Sequence, residues 1–184
     1  MGPVTVETVI SAPREAVFDY VGDLANHVAF IDHFASDFRL ARAKSSGIGA
    51  AARFRLENPG PKQWAEVQFA VFERPRRILE EGHSGRFGRN RFWTLWEFIP
   101  EGRATRVELT FWSEPATRWD AFKEALGGRG WIKAQNKIAL GRLRKVFEEE
   151  RSAPLARATV AGLEPFTLPR FGDHPSRERL TAKG

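Results

Sequence analysis

The feature that most constrains the fold is a long amphipathic pattern that runs from Trp131 to Glu150. Apolar and amide residues recur there at three- and four-residue spacing, which places them on one face of a helix. These residues are Ile132, Gln135, Asn136, Ala139, Leu143, Val146 and Phe147. Because an isolated amphipathic helix is unstable in water, this face must pack against another apolar surface. The preceding sequence consists largely of strand patterns, so we expect a long helix that lies on an antiparallel sheet.

Strands are predicted where apolar and polar residues alternate. The first is Val4 to Ile10, and two short helices separated by Gly22 follow it. The later strands are predicted at 38–41, 52–57, 64–72 and 78–83, and in the two arms of a hairpin at 91–112. This order of elements predicts an α+β protein.

The hairpin at 91–112 is the clearest local signal. If Glu101 and Gly102 form a two-residue loop, Glu97 lies opposite Arg106 and Arg91 lies opposite Trp112. One face of the hairpin is then apolar apart from a threonine, and we expect it to line a cavity. Its residues are Phe92, Thr94, Trp96, Phe98, Val107, Leu109 and Phe111.

The other face of the hairpin is unusually apolar for a solvent-facing surface, since it carries Trp93, Leu95 and Trp112. The segment 151–184 contains several prolines among apolar residues and is too apolar for a simple disordered extension. We therefore expect this tail to cover the two tryptophans, either on its own chain or on a partner. The chain divides into a domain at 1–150 and this C-terminal extension.

Five stretches of the sequence resemble one fold family. They are VETVISAPREAVFDYVGDLANHVAFI, GIG, FERPRRI, WTLWEFIPEGRATRVELTF and NKIALGRLRKVFEEE, within residues 4–150. The likeness is to the helix-grip fold of the START-like (SRPBCC) superfamily, which includes the polyketide cyclase/dehydrase and lipid transport family. It implies a curved antiparallel sheet of about seven strands around a long C-terminal helix, with two short helices after the first strand. In that family a hydrophobic cavity holds lipids, polyketides or other apolar molecules, and some members catalyse cyclisation or dehydration.

The resemblance leads us to expect that the chain binds a small hydrophobic ligand between the sheet and the C-terminal helix. The predicted cavity-lining residues are Phe30, Phe34, Phe54, Phe69, Phe92, Thr94, Trp96, Phe98, Leu109, Phe111, Trp131, Gln135 and Asn136. The alternatives left open are an enzyme of the polyketide cyclase/dehydrase type and a non-catalytic interaction domain that uses the outer face of the sheet. Pairing of two copies through that face or through the tail also stays open.

No catalytic residue is assigned from the sequence. An enzyme would need an acid–base pair in the cavity, and the sequence does not reveal one. Asp23, His27, Asp32 and His33 lack a recognised metal-ligand spacing, and we interpret them as the polar surface of a short helix. The chain contains no cysteine, and neither a metal nor a cofactor is predicted.

The formal net charge of +6 raises the question of an anionic partner. Acidic residues such as Glu97 and Glu101 interleave with the arginines of the hairpin, so nucleic acid is not predicted as a partner. The first residues lack the pattern of a secretory signal, and no stretch approaches eighteen apolar residues. We therefore predict a cytoplasmic protein without a membrane span.

Overall fold

Seven antiparallel strands and a long C-terminal helix make up the fold. The computed structural model describes residues 1–58, 62–85, 88–117, 127–149 and 154–160. In chain order the elements are β1 (Val4–Ile10), α1 (Arg14–Val21), a 3₁₀ turn (Leu24–Asn26), α2 (Val28–Ile31), β2 (Ala35–Leu40), β3 (Ala51–Leu56), β4 (Gln63–Glu73), β5 (Arg77–Ser84), β6 (Asn90–Glu101), β7 (Ala104–Glu114) and α3 (Arg129–Glu148). The predicted α+β helix-grip architecture is confirmed.

The strands form one sheet in the order β1-β7-β6-β5-β4-β3-β2, with every neighbouring pair antiparallel. β1 and β2 are therefore the two edges, although they are consecutive strands in the chain. The short helices α1 and α2 connect these edges. α3 packs against β1 and α2 and covers the inner face of the sheet. None of the helices in the described ranges combines the length and apolarity that a membrane span requires.

α3 begins and ends two residues before the predicted bounds, at Arg129 and Glu148. Its buried side chains are Ile132, Asn136, Ala139, Leu140 and Leu143. The amphipathic stripe therefore faces inward as the spacing predicts. An amide, Asn136, lies in the middle of that stripe.

The predicted register of the β6–β7 hairpin is wrong by two residues. Glu97 lies opposite Glu108, and Trp93 lies opposite Trp112, because Glu101 pairs with Ala104 and the loop consists of Gly102 and Arg103. Gly102 has a φ of 64°, a left-handed conformation that glycine adopts without strain. A shift of two residues preserves which side chains share a face. The predicted inner face of the hairpin is therefore retained.

The described part of the tail lies far from the outer face of the hairpin. The backbone N–H of Leu40, on edge strand β2, donates to the carbonyl oxygen of Thr159, and the N–H of Ala158 donates to that of Ala25. The prediction that the tail covers the tryptophans is therefore wrong for residues 154–160. Residues 161–184 of the tail lie outside the described residues.

The two outer tryptophans instead pack on each other. The rings of Trp93 and Trp112 are stacked with their centroids 5.9 Å apart, and the guanidinium of Arg91 lies 5.0 Å from the Trp93 ring. The predicted register places Arg91 over Trp112. In the observed register Trp112 lies opposite Trp93, and Arg91 packs on the Trp93 ring instead. In the described ranges no observation supports a homodimer through this face.

Candidate functional site

A cavity of about 640 Å³ lies between α3 and the inner face of the sheet. This volume is in the range of sites that hold small organic molecules. Nine of the thirteen predicted cavity residues lie on its wall. They are Phe34, Phe54, Phe92, Thr94, Trp96, Leu109, Phe111, Trp131 and Asn136.

The other four predicted residues lie outside the cavity wall. Phe30, Phe69 and Phe98 are buried in the core behind it. The ring of Phe98, for example, packs edge-on against Phe18 of α1, with their centroids 5.2 Å apart. Gln135 is half-buried at the edge of the α3 stripe, and its backbone carbonyl accepts a hydrogen bond from His33.

The two ends of the cavity differ in polarity and exposure. One end is lined by half-buried polar side chains at the strand ends, namely Asn58, Gln63, Ser84 and Asn90. Register places Ser84 opposite Asn90, so β5 ends and β6 begins at this rim. The inner part of the cavity instead contains the buried residues His27 and Glu80. The cavity thus has a polar, partly exposed rim and an enclosed inner end.

Glu80 is a buried carboxyl group on the cavity wall. It lies in the middle of β5, with Phe69 and Thr94 as its register partners on the neighbouring strands, and it is only 7% exposed. The indole N–H of Trp96 donates a hydrogen bond of 2.8 Å to Glu80 Oε1. Burial disfavours the carboxylate and raises the pKa of Glu80 from 4.5 to about 7, although the hydrogen bond from Trp96 acts in the opposite direction.

His27 faces Glu80 at this enclosed end. Its Nε2 lies 2.7 Å from the carbonyl oxygen of Val21. Because a carbonyl can only accept, Nε2 must carry the hydrogen, and Nδ1 of the neutral ring is an acceptor. Nδ1 lies 4.0 Å from Glu80 Oε1. The rings that surround His27 with centroids within 6.4 Å are Phe30, Phe38, Phe69 and Trp96.

The protonation of this pair follows from its burial. Desolvation lowers the pKa of His27 from 6.5 to about 4, against smaller opposing effects of the Val21 carbonyl and the Asp23 charge. Between about pH 4 and pH 7 the imidazole is therefore mostly neutral and the Glu80 carboxyl group mostly retains its proton. The contact is consequently not an ion pair in this range. It is a neutral acid beside a neutral base, both facing an apolar cavity.

The interpretation of His27 as a polar surface residue is wrong, since the residue is only 3% exposed. Glu80 was missed altogether, although the alternation of β5 carries a signal. Ile78, Glu80 and Gly82 share a face of the strand, and Ile78 is fully buried. In the described part of the chain, no group of three or more histidine, aspartate or glutamate side chains could hold a metal ion.

Asn136 is the second buried polar group on the wall. It lies on α3, is 5% exposed, and its side-chain Nδ2 has no hydrogen-bond partner among the described residues. A buried polar group left without a partner costs about 1–3 kcal/mol of stability. A donor retained at such a cost on a cavity wall is suited to a ligand oxygen.

Solved structures with similar folds come from several bacteria. TTHA0849 from Thermus thermophilus is 21% identical, with a TM-score of 0.61 over 78% of this chain and 95% of that chain. CV1439 from Chromobacterium violaceum is 14% identical, with a TM-score of 0.59 over 80% of this chain and 99% of that chain. DynU16, a protein in the dynemicin biosynthetic locus, is 17% identical, with a TM-score of 0.56 over 80% of this chain and 47% of that chain. At these identities the likeness shows the fold alone.

The sequence itself also matches a family model. No curated protein matches the chain. The family model described as polyketide cyclase / dehydrase and lipid transport matches residues 1–148, which include all seven strands and α3. The chain therefore belongs to the polyketide cyclase/dehydrase and lipid transport family.

Proposed function

We propose that this protein binds a small hydrophobic molecule, such as a lipid, a polyketide or an aromatic compound, in the cavity between the sheet and α3. The observation that carries the proposal is a space of about 640 Å³ between the sheet and α3, with a largely apolar and aromatic wall. Burial of about 200 Å² of apolar ligand surface there would contribute about 5 kcal/mol to binding. The family to which the chain belongs supports the same reading.

In this proposal the aromatic wall supplies the binding energy and the polar groups set the orientation. Phe92 and Phe111 both line the cavity, and their rings stack with centroids 5.8 Å apart. Asn136 is positioned to donate to a ligand oxygen from the opposite side, on α3. The half-buried polar rim suits a ligand whose outer end meets water.

Native mass spectrometry of the purified protein, followed by organic extraction, tests the proposal directly. We expect a stoichiometric apolar molecule, or uptake of one from a panel of fatty acids, sterols, aromatic polyketides and the neutral dye N-phenyl-1-naphthylamine. Ala139 lies on the cavity wall and is 1% exposed, so Ala139→Leu narrows the space and should weaken uptake. Ala134→Leu, on the exposed side of the same helix, is the matched control. A folded protein that takes up no member of the panel would overturn the proposal.

A second candidate is an enzyme of the polyketide cyclase/dehydrase type, which the buried pair of Glu80 and His27 favours. An ionised Glu80 could remove a proton from the carbon beside a ligand carbonyl. The electron pair of the broken C–H bond would pass into the enolate, and return of a proton would restore the ketone. In heavy water, such a cycle exchanges hydrogen for deuterium in 2-tetralone, which NMR detects. Exchange no faster than in buffer, at a concentration where 2-tetralone occupies the cavity, argues against this candidate.

A further inference from the structure

We propose that Glu80 and His27 together form a subsite for a hydroxyl group at the enclosed end of the cavity. The ligand would then be an apolar, ring-bearing alcohol or phenol that enters with its hydroxyl end first. This inference rests on the proposed function, because it names the chemical class of the molecule that the cavity binds. It also assigns a role to the two buried titratable groups on the wall.

The spacing of the two groups carries the argument. Glu80 Oε1 and His27 Nδ1 are 4.0 Å apart, which is too long for a direct hydrogen bond. A single oxygen atom about 2.8 Å from each would bridge this distance with two hydrogen bonds of normal length. Both residues line the cavity, so a ligand atom can reach the position between them.

The hydrogen-bonding capacities select a hydroxyl group. The bond from Nε2 to the Val21 carbonyl fixes Nδ1 as an acceptor. In the neutral pair, a ligand hydroxyl can donate to Nδ1 while its oxygen accepts a proton carried on Glu80 Oε1, which keeps a lone pair for the Trp96 N–H. A ketone or an ether has no hydrogen for Nδ1. A carboxylate would place a negative charge against the Glu80 carboxyl group and the Nδ1 lone pair, and it would also lose its hydration.

The surroundings hold the two groups in this arrangement. The indole N–H of Trp96 donates a hydrogen bond to Glu80 Oε1 and holds the carboxyl group in place. The rings of Trp96 and Phe38, which both line the cavity, lie 6.2 and 6.4 Å from the His27 ring, centroid to centroid. A ring attached to the hydroxyl group would therefore lie against aromatic surfaces. Burial raises the pKa of Glu80 to about 7, so the carboxyl group keeps the proton that it donates below that pH.

Three probes of similar shape test the subsite at pH 6: 2-naphthol, 2-methoxynaphthalene and naphthalene. Each competes with N-phenyl-1-naphthylamine, whose fluorescence reports occupancy of the cavity. We expect 2-naphthol to bind the wild-type protein about tenfold more tightly than the other two, which corresponds to one net hydrogen bond. Glu80→Met should abolish this preference. Glu81→Met is the matched control, because Glu81 is on the opposite side of the strand and pairs with Arg91, and it should keep the preference.

Equal affinities of the three probes for the wild-type protein would overturn the subsite, as would a preference that persists in Glu80→Met. Binding of the dye without displacement by 2-naphthol would also overturn it. If the protein binds neither dye nor probes, the proposed function fails and the subsite with it.

Because Glu80→Met leaves the Trp96 N–H unpartnered and could impair folding, ¹⁵N NMR of the wild-type protein gives a second reading. The His27 Nδ1 resonance should shift with 2-naphthol and not with 2-methoxynaphthalene, and no difference between them would contradict the proposal.

Discussion

Trp96 and Glu80 are diagonal neighbours on the inner face of the sheet. In register, Glu80 of β5 lies opposite Thr94 of β6, and Trp96 lies opposite Ile78. The indole reaches across this diagonal and donates its N–H to Glu80 Oε1 at 2.8 Å. Diagonal contacts of this kind are within reach of large aromatic side chains. The bond satisfies a buried indole and holds a carboxyl group against the cavity.

The first prediction concerns the pH dependence of stability. The pKa of Glu80 is about 7 in the folded protein and 4.5 ordinarily, so the folded state holds a proton that the unfolded state releases between these values. Glu80 therefore makes the free energy of unfolding fall by about 3 kcal/mol as the pH rises from 4.5 to 7. The pKa of His27 is lowered from 6.5 to about 4, so His27 makes the free energy of unfolding rise by about 3 kcal/mol between pH 4 and 6.5. The two contributions nearly cancel between pH 4.5 and 6.5.

Glu80→Gln removes one of the two opposing contributions and keeps an acceptor for Trp96. Relative to the wild-type protein, its free energy of unfolding should rise by about 3 kcal/mol between pH 4.5 and 7. His27→Gln keeps a donor for the Val21 carbonyl. Relative to the wild-type protein, its free energy of unfolding should fall as the pH rises toward 6.5. Urea denaturation at a series of pH values measures both. Parallel pH profiles for wild type and Glu80→Gln would mean that the folded protein does not hold Glu80 protonated.

The sequence predicts correctly those features that appear as a periodic repeat of apolar residues along a strand or helix. The inner face of the β6–β7 hairpin was predicted correctly despite the wrong register, because an error of two residues leaves every side chain on its own face. His27 was misread because it lies between a 3₁₀ turn of three residues and α2 of four residues, and both are too short for a buried face to appear as a repeat. Glu80 was overlooked because carboxyl groups are rarely buried, and the partner that makes burial tolerable is sixteen residues away in Trp96. Contacts between distant strands leave no periodic trace in the sequence.

The second prediction concerns the amide on the long helix. Asn136→Leu removes a buried donor that has no partner among the described residues and replaces it with an apolar side chain, so the ligand-free protein should become about 1 kcal/mol more stable. The same change should weaken binding of ligands that carry a carbonyl or hydroxyl oxygen. Chemical denaturation and dye displacement measure the two effects. Gln135→Leu, at the half-buried neighbouring position, should change neither by much. A less stable Asn136→Leu protein with unchanged binding would show that the amide has a structural partner.

The third prediction concerns Gly82 on β5, where an aromatic ring of the cavity wall lies close to the strand. A Cβ atom added at Gly82 would lie 2.2 Å from the ring of Phe92, which lines the cavity. Gly82→Ala should therefore push this ring into the cavity, destabilise the protein by about 1–3 kcal/mol and weaken dye binding. Adding Phe92→Leu should restore part of the stability.

Gly141→Ala is the control for this substitution. Gly141 lies within α3, and nothing is within 4 Å of the added methyl group. Because alanine is the better helix former, this variant should gain up to about 1 kcal/mol. Thermal denaturation compares the two alanine variants. Equal stability of Gly82→Ala and the wild-type protein would show that the Phe92 ring is not fixed over the strand.

The last prediction concerns the docking of the tail against edge strand β2. Arg157 donates hydrogen bonds to Asn26 and, at 2.6 Å, to Asp23. Both partners lie shortly before His27 in the sequence, so the tail helps to hold the turn that carries the imidazole. The Arg157 side chain is 56% exposed, and an exposed ion pair contributes about 1 kcal/mol or less. Arg157→Ala should therefore loosen the tail without unfolding the domain.

Amide hydrogen exchange measures this loosening at single residues. The Leu40 N–H donates to the Thr159 carbonyl in the tail, whereas the Ala41 N–H donates to Ala51. In Arg157→Ala, exchange at Leu40 should become about two- to fivefold faster while exchange at Ala41 stays unchanged, which corresponds to a loss of about 0.5–1 kcal/mol. The difference at Leu40 should shrink at high salt, because salt screens the ion pair with Asp23. Equal acceleration at both amides would indicate that the whole edge of the sheet opens, and it would refute a separate docking role for Arg157.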